Sequence, residues 1–172
     1  MKRTSVAHLN SGSAKAIDVV GEFWNLLIIR AVFMGVTRFE GLQSDLGIAR
    51  NILTDRLSTL IEADVLEKIV YNQKPERFEY HLTEKGEDLF AMMSMIKKWG
   101  DKWLMDHGQA VSLTHGSCGE VFVPVMACQH CNESVTGIDD LSLGRGPRWG
   151  GNTGWDSSHE KLMDPTNGSP EK

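Results

Sequence analysis

RFEGLQSDLGIARNILTDRLSTLIEADVLEKIVYNQKPERFEYHL, residues 38–82, joins two hydrophobic periods end to end. Phe39, Leu42 and Leu46 recur at spacings of three and four, the face of a short helix over Arg38–Leu46. Gly47 supplies a turn, and Ala49–Ala63 reads as a second helix with Leu53, Leu57, Leu60 and Ile61 directed inward. Two short helices on a tight glycine turn form a helix-turn-helix pattern. Beyond it the period changes. Leu66–Tyr71 alternates apolar and polar residues as a half-buried strand does, residues 72–76 (NQKPE) suit a turn, and Arg77–Leu82 alternates again. A β-hairpin directly after a helix-turn-helix is a wing, so the stretch predicts a winged helix.

Working outward, Ser13–Val20 reads as a short helix stopped by Gly21. Phe23–Met34 (FWNLLIIRAVFM) is apolar almost all round and predicts a buried central helix, with Gly35 as its stop. Downstream, Thr83 is a helix N-cap with Gly86 three residues on, and Glu84 to about Asp106 reads as one long amphipathic helix. Its stripe of Leu89, Met92, Met93, Ile96, Trp99, Trp103 and Leu104 is wider than a small winged helix needs, which predicts packing against a second copy. Trp24, Met92 and Trp99 could line a cavity for a small apolar effector, but core packing explains them equally well, so no effector is inferred. The fold class expected is mainly α with a small β-hairpin (α+β). Its parts are a winged helix-turn-helix DNA-binding and dimerisation domain over 1–106, a small zinc-knuckle-like, cysteine-containing appendage over 107–140 and an irregular or disordered tail over 141–172. The tail is dominated by glycine, serine, proline and asparagine, and no internal repeat is visible.

With 41% hydrophobic and 24% charged residues, the composition is that of a soluble globular protein. The longest apolar run, Leu26–Met34, contains Arg30 and falls short of the roughly 18 residues of a membrane span. No leader pattern stands at the N-terminus, so a cytoplasmic location is expected. The net charge of -5 is unevenly spread: residues 1–106 carry 14 Lys and Arg against 15 Asp and Glu, and residues 107–172 carry 4 against 8. A nearly neutral domain can still hold DNA if its cations face the phosphates. A phosphate loop, a nucleophile elbow and a motif of paired carboxylates are all missing from the sequence, which argues against an enzyme.

The order and spacing of several groups resemble the HxlR family of winged helix regulators over about residues 11–106. They are Asp18 to Gly21 with Trp24, Arg38-Phe39, Gly47-Ile48 leading into Arg50, Asn51, Ile52 and Leu53, the helix ending in Leu60, and the closing run Tyr80 to Gly86 (YHLTEKG). The resemblance implies a homodimer joined through its terminal helices, binding double-stranded DNA at a roughly palindromic operator. Many members carry an oxidant-sensing cysteine just before the first helix. Here Ser11 stands there, so thiol sensing at that place is not expected.

In such a domain the second helix of the pair enters the major groove, and its N-terminal half meets the base edges. Inward leucines leave Asn51, Thr54, Asp55 and Ser58 outward, with Arg50 at the first turn. Arg50 could fork onto guanine, Asn51 pair with adenine, and Asp55 accept from cytosine or pair instead with Arg56. Arg38, opening the preceding helix, should touch phosphate, and Lys74 and Arg77 in the wing could reach phosphate or the minor groove. The alternative is that these are solvated charges on a winged helix turned interaction scaffold.

Three cysteines fall within fourteen residues. His115-x2-Cys118 and, after nine intervening residues, Cys128-x2-Cys131 have the spacing of a zinc knuckle or ribbon. Some members of the family carry a similar C-terminal cysteine segment. A structural zinc on His115, Cys118, Cys128 and Cys131 is the reading preferred, with His107 and His130 as rival fourth ligands. A redox pair of Cys128 and Cys131, or ordinary buried thiols, would also account for the residues.

Overall fold

The computed structural model describes residues 5, 6, 8–106 and 111–141. The irregular tail expected over 141–172 lies outside them except for Leu141, as does His107. Ala16–Gly108 forms one compact unit, and residues 111–141 belong to a second.

The elements follow the expected order, α1 (Gly12–Val20), α2 (Phe23–Phe33), α3 (Phe39–Leu46), α4 (Arg50–Glu62), β1 (Leu66–Gln73), β2 (Glu76–Leu82), α5 (Glu84–Glu87) and α6 (Leu89–Trp103), and all from Ala16 of α1 onward lie in the first unit. α2 is the centre, packed against α3, α4 and β2. Ile28 and Ile29 of α2, Leu42 of α3, and Leu53 and Leu60 of α4 are wholly buried. Each such side chain contributes about 1.5–3 kcal/mol in burial. α2 is not buried all round, since Phe23 and Met34 at its ends are exposed. Its interior instead holds Asn25, whose Nδ2 donates to Val19 O at 2.8 Å and ties the end of α1 to the core.

The turn between α3 and α4 is made by Gly47, at φ 61 and ψ 24. This left-handed conformation disfavours any residue with a Cβ. Leu53, Leu57 and Leu60 then face inward while Arg50, Asn51, Thr54, Asp55 and Ser58 stand exposed, as the spacing predicts.

β1 and β2 pair antiparallel from Leu66↔Leu82 to Gln73↔Glu76, with an irregularity between Val70 and Asn72. The strands run longer than expected and leave only Lys74 and Pro75 between them. The burial differs from simple alternation. Leu66 and Tyr80 enter the core, but Ile69, Val70 and Tyr71 are exposed, because the hairpin projects past the helices that would cover it.

The expected single helix from Glu84 is interrupted at Asp88. Its first turn is pinned to the α4–β1 junction. The Thr83 hydroxyl donates to Asp64 O at 2.7 Å and accepts from Gly86 N at 3.1 Å, and Lys85 Nζ donates to Ala63 O at 2.5 Å. Gly86 makes this closeness possible: a Cβ there would sit 2.2 Å from Val65 O. α6 leaves from that anchor. Leu89, Met92 and Met93 pack on the core, whereas Ile96, Trp99, Trp103 and Leu104 are exposed, Trp99 at 58% and Trp103 at 63%. Trp24 packs on the core as well, so Trp24, Met92 and Trp99 do not share one environment. No helix among the described residues is long and apolar enough to cross a membrane.

Candidate nucleic-acid interface and cysteine appendage

The outward face of α4 is organised by its own backbone. Thr54 Oγ1 donates to Arg50 O at 2.9 Å and Ser58 Oγ to Thr54 O at 3.0 Å, which turns both hydroxyls along the helix. Asp55 pairs with Arg56, the second of the two partners the sequence suggested. Arg50 lies with Cζ 4.8 Å from the Phe39 ring centroid, so an aromatic of α3 supports the cation at the head of α4. Asn51 is exposed beside it. Neither α3 nor α4 has a side-chain hydrogen bond at its N-cap, where Arg38 and Ala49 stand. Free N–H groups at a helix start favour an anion there.

Arg38 is the point where helix and wing meet. Its Nε donates to Glu79 Oε1 at 2.9 Å, and its Cζ lies 4.4 Å from the Tyr71 ring centroid. The backbone joins in: Arg38 and Glu79 form an antiparallel bridge, and Tyr80 N donates to Thr37 O at 2.8 Å. The hydrogen bond to Glu79 raises the pKa of Arg38, and the same bond, followed by that to His81, holds Glu79 below the ordinary carboxylate range. Arg38 remains more than half exposed, with a side-chain accessibility of 58%. The wing's Lys74 and Arg77 are exposed at and beside the hairpin tip. Glu79 and Tyr71, which hold Arg38, were missed in sequence because they come from the wing and lie 41 and 33 residues from it. Their alternating strand pattern was the only signal.

The second unit places the remaining expected residues. His115 Nδ1 lies 3.3 Å from Cys118 Sγ. Cys128 Sγ receives the backbone N–H groups of Cys131 and His130 and the thiol of Cys131, which lower its pKa. His130 therefore meets that sulfur through its backbone. Cys118 and Cys131 are exposed and Cys128 is half-buried, against the reading of ordinary buried thiols. Among the described residues no three Cys, His, Asp or Glu side chains converge on one point, so the four residues are brought together as two pairs.

Comparison with known proteins places the first unit. Residues 19–108 match the HxlR-like helix-turn-helix family. An uncharacterised HTH-type transcriptional regulator of Mycobacterium tuberculosis, Rv3095, is 41% identical over 139 residues, covering 79% of this chain and 88% of that protein. The crystal structure of PA1607, described as a candidate transcription factor, superposes with a TM-score of 0.74 at 30% identity, over 83% of this chain and all of the other. PA1374 of Pseudomonas aeruginosa, described in the same terms, gives 0.57 at 34% identity, over 78% and 91%. These relatives are described as transcription regulators and not as enzymes. With the expected helices, turn and wing all in place, the chain belongs to the HxlR-like helix-turn-helix family of transcriptional regulators.

Proposed function

We propose that the protein is a sequence-specific DNA-binding regulator that works as a cytoplasmic homodimer on a roughly palindromic operator. The observation carrying this reading is the exposed head of α4, where Arg50 rests on Phe39 next to Asn51 and an uncapped helix start. α4 enters the major groove, with Arg50 and Asn51 on base edges and Thr54 and Asp55 further along the helix. Arg38, Lys74 and Arg77 contact phosphate and fix orientation. Asp55, paired with Arg56, sets register by rejecting a phosphate placed too near. The exposed outer face of α6, with Ile96, Trp99, Trp103 and Leu104, supplies the dimer contact and presents two copies of α4.

The test is fluorescence anisotropy of the purified chain on its own upstream DNA through a salt series, with Arg50→Ala beside it. Expected is tight binding that weakens steeply with salt, and a loss of about 1–3 kcal/mol in the variant, as for one base contact. Selection of genomic fragments covers an operator located elsewhere. If both methods find binding no tighter than to random DNA and indifferent to Arg50, the proposal fails and the winged helix is an interaction scaffold.

A further inference from the structure

The appendage contains a repeat that its residues conceal. In the first hairpin Phe122 N donates to Leu113 O at 2.7 Å, His115 N to Glu120 O at 2.8 Å, and Gly119 N to His115 O at 2.9 Å, with a bridge between Thr114 and Val121. In the second, Val135 N donates to Met126 O at 2.8 Å, Cys128 N to Glu133 O at 2.9 Å, and Asn132 N to Cys128 O at 2.8 Å, with a bridge between Ala127 and Ser134. Each of these backbone bonds of the first is repeated thirteen residues later. The positive φ repeats too, at Gly119 (77°) and Asn132 (59°). This shift carries His115 onto Cys128 and Cys118 onto Cys131.

Each hairpin is therefore a turn that sets two donor side chains, three residues apart, on one side. We propose that the two turns close on a single structural zinc ion held by His115 Nδ1 and the thiolates of Cys118, Cys128 and Cys131. In the first turn the donors already stand 3.3 Å apart, and the ligand–ligand edge of a zinc tetrahedron with one nitrogen and one sulfur is about 3.6 Å. Ser117 Oγ also lies 3.1 Å from Nδ1, a contact the metal would replace. In the second turn the backbone N–H groups of His130 and Cys131 and the thiol of Cys131 all meet Cys128 Sγ, so that pair of donors also stands side by side. Residues 123–125 are all that separate the hairpins, so the two pairs are close in sequence.

A second observation points to a ligand that binds them together. None of the described residues from 111 to 141 is buried, although the segment is folded into two ordered turns. A segment this short without a core ordinarily takes its stability from a metal or a disulfide, and all three cysteines are free. Four protein ligands leave no open position, so the site is structural and not catalytic. It lies beyond residue 108, outside the part that matches the family.

The experiment uses the full chain, purified under reducing conditions without added metal, with metal content read by plasma mass spectrometry. One zinc per chain is expected. Replacing it with Co(II) should give thiolate-to-cobalt charge transfer and the d–d bands of a tetrahedral site. Cys118→Ser and Cys128→Ser should each lower the retained zinc by about tenfold or more, while His115→Cys keeps it and Ser117→Ala leaves it unchanged. The helical circular dichroism of residues 16–108 serves as the folding control. Chains that hold no zinc, a Cys128–Cys131 disulfide in its place, or zinc retained in Cys118→Ser would each overturn the proposal. The wild-type metal content decides even if a variant fails to fold.

Discussion

Gly86 and Gly47 are both required, but for different physical reasons that the same two substitutions can separate. At Gly86 the backbone is ordinary and the space is not. A Cβ would lie 2.2 Å from Val65 O and 2.9 Å from Leu82 Cδ2, and the nearer atom belongs to the main chain of a buried residue. Ordinary contact would require about 1.2 Å of separation between the first turn of α5 and the α4–β1 junction. That displacement also stretches Thr83 N→Val65 O, now 3.2 Å. Gly86→Ala should therefore cost about 3 kcal/mol, the upper end of ordinary overpacking, which lowers Tm by roughly 12–24 °C in a domain of this size. At Gly47 a Cβ meets nothing within 4 Å, and only the φ of 61° resists a side chain. Gly47→Ala should cost about 1–2 kcal/mol. Asparagine, which tolerates this conformation, should recover part of that at 47 but be at least as harmful as alanine at 86. Thermal and urea melts followed by circular dichroism, at one fixed protein concentration because the stability of any self-associating chain depends on it, provide the measurement. A Gly86→Ala variant within about 1 kcal/mol of the native chain, or asparagine that rescues 86 and not 47, would refute the assignment of space to one glycine and conformation to the other.

Two further outcomes are expected. Because Arg38 depresses the pKa of Glu79, the ion pair adds stability above the ordinary carboxylate pKa, and this is lost as pH falls through the lowered value. The gap in urea midpoint between the native chain and Glu79→Gln should therefore be steady above the ordinary carboxylate pKa and close as pH falls below it through the lowered value; a gap independent of pH would contradict the pairing. If the proposed dimer forms through α6, Trp99→Glu should leave the winged helix folded but weaken self-association by about 2 kcal/mol or more, as loss of an aromatic anchor does. Sedimentation equilibrium reads the effect, and an unchanged dimer would move the contact off this face.

Most of the helix-turn-helix was legible because its determinants are local. Leu53, Leu57 and Leu60 recur at helical spacing and a glycine sits where the chain must take a left-handed turn, so neither inference needs a distant partner. The wing was legible as two strands but not in its burial, since alternation says which residues share a face and not whether anything covers it. The break at Asp88 was hidden for the same reason. An amphipathic stripe continues through it, and the contacts of Thr83, Lys85 and Gly86 with Ala63, Asp64 and Val65 that anchor the first turn come from residues about twenty positions earlier. Arg38 was singled out in sequence as a candidate DNA-contacting cation, whereas its partners Glu79 and Tyr71 required the strand register. The repeat in the appendage escaped because it is written in hydrogen bonds. Over its ten positions the two turns share little beyond Cys118 with Cys131 and Glu120 with Glu133.

The bridge between Arg38 and Glu79 also settles which side of the wing is open. β2 has β1 along one edge, and near its middle the segment around Thr37 and Arg38 along the other. β1, by contrast, has β2 as its one strand partner among the described residues, so its outer edge offers unpaired amide and carbonyl groups. An exposed edge carrying Ile69, Val70 and Tyr71 would ordinarily invite a strand from another molecule. Here Glu67 and Lys68 place charge along it, and the irregularity between Val70 and Asn72 breaks the even spacing a neighbouring strand must match. The ribbon can thus project from the domain, available to a groove, without becoming a template for aggregation.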